Sequence, residues 1–171
     1  GVWHTLSSYL IKVDEVRDTR HYVENASMAI FDFTGKVEVA VTYNLGEVQT
    51  AKVRPLSYDI PFQIDGNTVT FTLEHPRNLS VEVNGDIFHN LHLFTGSPER
   101  TIPDKDNPEV IYFGPGIHTV KNGELRVPSG KTVYLAGGAV LMGRVLIENV
   151  HDVKLLGRGI IDHSIKGGIR I

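Results

Sequence analysis

The sequence predicts an all-β protein in two parts: an N-terminal β-sandwich, then the first coils of a right-handed parallel β-helix, a solenoid. Three observations predict it. The 20 Val, 14 Ile and 12 Thr fill 46 of 171 positions against 6 Ala, a bias toward strand formers over helix formers. Short apolar alternations, each closed by turn residues, follow one another through the first part of the chain. Glycine is uneven, with 6 in the first 100 residues and 11 in the last 71, which marks two architectures in series.

In residues 1–95 the alternations run Tyr9 to Val13, Met28 to Phe33, Lys36 to Tyr43, Gln49 to Val53, Thr68 to Leu73 and Leu79 to Val83. Turn signals stand between them at Thr34-Gly35, Asn44-Leu45-Gly46, Asp65-Gly66-Asn67 and Asn84-Gly85. Val37 to Val41 and Val69 to Leu73 each carry one apolar face and one mostly polar face, as a sheet packed on one side requires. Six such strands over this length read as a sandwich. Asp86 to Leu93 fits either a short turn of helix or a strand leading out of the sandwich. Residues 96–109, with Gly96, Ser97, Pro98, Pro103, Asp104, Asp106, Asn107 and Pro108, read as a linker.

Residues 110–171 repeat. The segments beginning Ile111-Tyr112-Phe113-Gly114, Val133-Tyr134-Leu135-Ala136-Gly137 and Val153-Lys154-Leu155-Leu156-Gly157 start 22 and then 20 residues apart. Each is a short apolar strand, a glycine-bearing bend and a further apolar residue or pair, the unit of a stacked β-coil. A propeller blade needs about twice that period. Coils bury their faces only on neighbours, and the terminal ones are capped. The apolar run Ile165, Ile169, Ile171 has no polar cap, so the sequence predicts the front end of a longer, truncated polypeptide.

Composition excludes several partners. The 17 Lys and Arg against 20 Asp and Glu give a net charge of −3, which denies nucleic acid its basic footprint. No apolar stretch approaches the ~20 residues that span a bilayer, so no membrane partner is expected, and the first residues lack the basic-then-apolar build of a signal peptide. With no cysteine, disulfides, thiolate metal sites and cysteine nucleophiles are all absent.

The run Val53-Arg54-Pro55-Leu56-Ser57-Tyr58, then Val69 to Leu73, then Leu79 to Val83 with Asp86-Ile87-Phe88, resembles the N-terminal β-sandwich of the dextranase and isopullulanase family (glycoside hydrolase family 49). Val110 to His118 is similar to the start of that family's β-helix. Gly157-Arg158-Gly159-Ile160-Ile161-Asp162 resembles an early-coil motif shared with the polygalacturonase family (glycoside hydrolase family 28), although His163 and Ser164 follow where that family usually has Gly. The resemblance implies the N-terminal portion of a polysaccharide-degrading hydrolase acting by inversion, on a glucan or pectin-like polymer, in an extracellular or periplasmic setting. In that chemistry a carboxylic acid protonates the glycosidic oxygen while a carboxylate ~6.5 to 9.5 Å away activates water. The families carry these aspartates on later coils, in Asn-x-Asp and Asp-Asp motifs with Gly-His-Gly and Arg-x-Lys. None of these stands here in its family position. No catalytic, cofactor-binding or metal residue is therefore assigned, no cofactor is expected, and the remaining coils are the implied partner of this chain, which alone is expected to be inactive.

Asp162 follows an apolar strand in a glycine-rich bend, where Asp commonly caps a turn through backbone amides. Asp152 stands ten residues away, about half a repeat, so the two are expected on different faces. His89 and His92, with His118, suggest a metal only if the first two share a helical face; in a strand they point apart. Trp3, Tyr9, Tyr22, Tyr43 and Tyr58 offer ring faces for sugar, or serve as core and rim. Gly157-Arg158-Gly159 lacks the third glycine and following helix of a nucleotide loop. Asn25-Ala26-Ser27 and Asn78-Leu79-Ser80 fit the glycosylation pattern, and Asp14 to Arg20 reads as a solvated face of mixed charge.

Two other functions compete. A non-catalytic carbohydrate-binding or adhesive module predicts that the 171-residue chain alone is stable and retained on polysaccharide. A polysaccharide lyase on the same scaffold needs basic groups to steady a uronate, which the net charge of −3 does not favour.

Overall fold

Val, Ile and Thr dominate the chain, and in the computed structural model, which describes residues 9–12, 25–163 and 169–170, the regular elements are β-strands apart from one short 3-10 turn. The fold is all-β. No helix among the described residues is long and apolar enough to cross a membrane. The chain divides into two units, residues 1–98 and 99–171.

The first unit holds β1 (Tyr9–Lys12), β2 (Asn25–Asp32), β3 (Val37–Thr42), β4 (Ala51–Arg54), β5 (Phe62–Asp65), β6 (Thr68–Leu73), β7 (Leu79–Val83) and β8 (Asp86–Gly96). They form a five-stranded sheet in the order β1-β2-β8-β7-β4 and a three-stranded sheet in the order β3-β6-β5. Alternation fills one core from both: Val39, Val69, Phe71 and Leu73 from the smaller sheet, and Val53, Leu79, Val81, Val83 and Leu93 from the larger. Each such side chain contributes about 1.5–3 kcal/mol by leaving water. This is the β-sandwich. Asn84 and Gly85, at φ +53 and +76, meet the need of a two-residue hairpin turn for left-handed backbone at both positions.

Two departures from the sequence reading concern this unit. Asp86 to Leu93 takes the strand alternative rather than the helical one, but as β8 it lies within the sheet, antiparallel to β7 and parallel to β2. Phe62–Asp65 forms a strand that went unpredicted, because all four residues are exposed and show no buried face.

The second unit holds β9 (Val110–Phe113), β10 (Gly116–Arg126), β11 (Thr132–Leu135), β12 (Ala139–Leu146), β13 (Lys154–Gly157), β14 (Ile160–Asp162) and β15 (Ile169–Arg170). Every pairing here is parallel, in the ladders β9-β11-β13 and β10-β12-β14, with β15 also on β12. Ile111, Val133 and Leu155 stack in register, as do Phe113, Leu135 and Gly157. The third coil is thus aligned from Leu155 rather than Val153. A two-residue slip keeps the same side chains facing inward, so the apolar pattern did not reveal it. Val133, Leu135, Ala139, Leu141, Val145 and Val127 form the buried column, with Ile111, Phe113, Leu155 and Ile161 packed on it.

The glycines of Gly157-Arg158-Gly159 are required by this stacking. Gly157 has φ +108, and a Cβ there would stand 1.9 Å from the Leu135 carbonyl oxygen; one on Gly159 would stand 2.7 Å from the Leu135 Cβ. The bend closes against the preceding coil, where the Leu135 carbonyl accepts the N–H groups of Arg158 (2.8 Å) and Gly159 (3.1 Å).

Candidate functional site

A concavity with polar walls lies on the sandwich. After Arg54 the chain passes a cis bond to Pro55 and makes the 3-10 turn Leu56–Tyr58, which ends at Asp59 with φ +48. Across from it, the loop between β6 and β7 is anchored by Thr95 of β8. The Thr95 hydroxyl accepts the Arg77 N–H and donates to the Arg77 carbonyl, both at 2.7 Å. Arg77 is thereby held with its guanidinium carbon 4.4 Å from the centre of the Tyr58 ring, a cation–π contact. Its Nε donates to His75 Nε2 at 2.8 Å, which makes Nε2 the acceptor and puts the imidazole proton on Nδ1. The cavity, about 610 Å³, is open to solvent and lined by Ser57, Tyr58, His75, Pro76, Arg77, Asn78 and Thr95. Its size suits a ligand rather than a few waters.

A second concavity of about 520 Å³ shares Asn78 with the first and is largely apolar, with Pro55, Leu56, Leu79 and Phe94 beside Arg54, Ser80 and His92. Phe94 is 38% exposed, and its ring lies nearly parallel to that of His92, with centroids 6.4 Å apart. Arg54 is neutralised: its Nε donates to buried Glu82 at 2.5 Å.

The coil unit carries polar groups in fixed partnerships. Buried Tyr134 packs on Tyr112 and donates its hydroxyl to Glu99, whose carboxylate also meets Arg158 Nη2 at 3.3 Å. Burial first, and then the bond to the Glu99 carboxylate, push the Tyr134 phenol up to about 12. Glu124 takes Arg126 on one carboxylate oxygen at 2.7 Å and Arg144 on the other. Glu109 meets Lys131 at 3.2 Å.

The residues singled out from the sequence are dispersed. Asp162 is buried at the end of β14, opposite Met142; Asp152 is exposed, with φ +53, before β13 and contacts His151 at 3.0 Å, so the two stand on different ladders. His89 and His92 lie on one strand: His89 pairs with Asp86 at 2.8 Å, and His92 sits opposite Ser80. The Asp86 carboxyl is held below its usual value by the backbone N–H groups of His89 and Phe88. His118 belongs to the other unit, in register with core residues Leu141 and Ile161; its Nε2–H donates to the Gly114 carbonyl at 2.7 Å, and its ring meets Phe113 edge to face. Among the described residues no three His, Asp or Glu come together as a metal site.

Tyr43 packs half-buried against the sandwich core, and Tyr58 lines the cavity. Trp3, Tyr22 and the charges of Asp14 to Arg20 lie outside the described residues, as do the side chains of Tyr9, Asn25 and Ile165 to Ile171. Asn78 is exposed between the two concavities. Sequence reasoning missed Arg77, His75, Thr95 and Phe94, which come together only through the pairing of β7 with β8; the loop signal His75-Pro76-Arg77 was the sole local hint.

Neither a protein-family model nor a curated protein sequence matches the chain. Seven solved chains match it in structure. Among them, Dex49A from Penicillium minioluteum superposes with a TM-score of 0.51 at 18% identity, over 79% of this chain and 34% of that one. The chain therefore spans about a third of that protein's length, and what the two share is the fold, here an all-β arrangement with parallel sheets in its second unit.

Proposed function

We propose that this chain is the N-terminal portion of a polysaccharide-degrading glycoside hydrolase that works by inversion in an extracellular or periplasmic setting. The observation that carries the reading is the order of architectures, sandwich and then parallel coils, in a fold shared with Dex49A over a third of that protein. Four carboxylates of the coil unit support placing the chemistry on further coils. Glu99, Glu109, Glu124 and Asp152 are each engaged by a cation, a phenol or an imidazole, as structural carboxylates are. An inverting acid and base must instead face an open substrate channel from opposite sides.

A reducing-sugar assay of the complete gene product on dextran, pullulan and polygalacturonate tests this. One of the three polymers is expected to be cleaved, with the 171-residue chain releasing no sugar by itself. A complete product that cleaves no glycosidic bond contradicts it. The pair of concavities with exposed Tyr58 and Phe94 favours a second reading, a carbohydrate-binding module, and retention of the 171-residue chain on a polysaccharide column distinguishes it.

A further inference from the structure

We infer that the sandwich cavity at Arg77 binds the carboxylate of an acidic sugar unit, with the neighbouring apolar concavity taking the next ring of the same glycan. The inference concerns binding by the sandwich alone and stands whether or not the coils belong to a hydrolase.

Among the described residues, the Arg77 guanidinium meets a ring face and an imidazole and no carboxylate. Arg54, Arg126, Arg144 and Arg158 each meet one. The overall charge of −3 thus does not prevent a local cation at this cavity from meeting an external anion. Because Nε is committed to His75, the two terminal nitrogens are the donors that remain, and their planar fork matches a carboxylate. The fork is also preorganised. The Tyr58 ring supports one face, and the doubly bonded Thr95 hydroxyl fixes the backbone beneath it, so little freedom is lost on binding.

The choice of a glycan over a free anion rests on the second concavity. Asn78 joins the two, its exposed amide able to bond sugar hydroxyls, and beyond it Leu56 (59% exposed) and Phe94 offer apolar surface for the C–H face of a pyranose. A bare phosphate has no use for that surface.

Isothermal titration of the 171-residue chain with trigalacturonate, isomaltotriose and inorganic phosphate tests the inference, beside Arg77→Gln and Arg77→Lys. The expected result is that trigalacturonate binds most tightly, that Arg77→Gln loses about ten-fold or more, and that Arg77→Lys recovers only part of it. A thermal melt shows whether Arg77→Gln is folded. Should it not be, Asn78→Ala, an exposed substitution, is the second variant, with a several-fold loss expected. Phosphate binding as tightly as trigalacturonate, isomaltotriose binding equally well, affinity unchanged in a folded Arg77→Gln, or no binding at all would each overturn it.

Discussion

Thr95 shows how much one hydroxyl can organise. It is buried, and it satisfies both backbone groups of Arg77 with two bonds of 2.7 Å. Thr95→Val keeps the shape and strands a donor and an acceptor, so a loss of about 1–3 kcal/mol is expected, read as a lower urea midpoint. Tyr134 gives a pH prediction. Its phenol is raised to about 12 in the folded chain against 10.0 for a free one, so the folded state holds its proton where the unfolded state has lost it. The contribution is complete below pH 10 and disappears as pH rises from 10 toward 12. Denaturant midpoints across that range should fall for the wild type, by up to about 2–3 kcal/mol of stability, and fall less for Tyr134→Phe.

At the scale of elements, the coils depend on where glycine permits close approach. In Gly157→Ala the new methyl would meet the Leu135 carbonyl in a backbone conformation that already disfavours a side chain. A loss of at least about 3 kcal/mol is expected, seen as early unfolding of the second unit by hydrogen exchange. Gly-x-Gly was legible in the sequence as a bend; its tolerance of no other residue needed the register of β11 on β13. The same contrast runs through the other elements. Strands with one buried face, such as β6 with Val69, Phe71 and Leu73, declare themselves by alternation, whereas β5 buries none of its residues and was silent despite the turn at Gly66 that follows it. The 22-residue step from Ile111 to Val133 could be read directly, but the slip at Leu155 could not, because it preserves every inward position.

For the whole molecule, the all-β class and the change from antiparallel-rich sheets to parallel coils follow from composition and period, and the strand pairing agrees with both. The candidate binding site was far less legible. Tyr58 stood in a roll of aromatic residues, while Arg77 and Thr95, 18 positions apart, acquire meaning only when β8 brings them together. A site built from loops across a sheet leaves no spacing for a sequence to display. The central claim, that these coils open an inverting polysaccharide hydrolase, is tested most directly by proton NMR of the complete gene product acting on the polymer it cleaves. The first-formed reducing end should carry the opposite anomeric configuration to the bond broken, before mutarotation mixes the two. A retained configuration, or no new reducing end on any polymer, would contradict it.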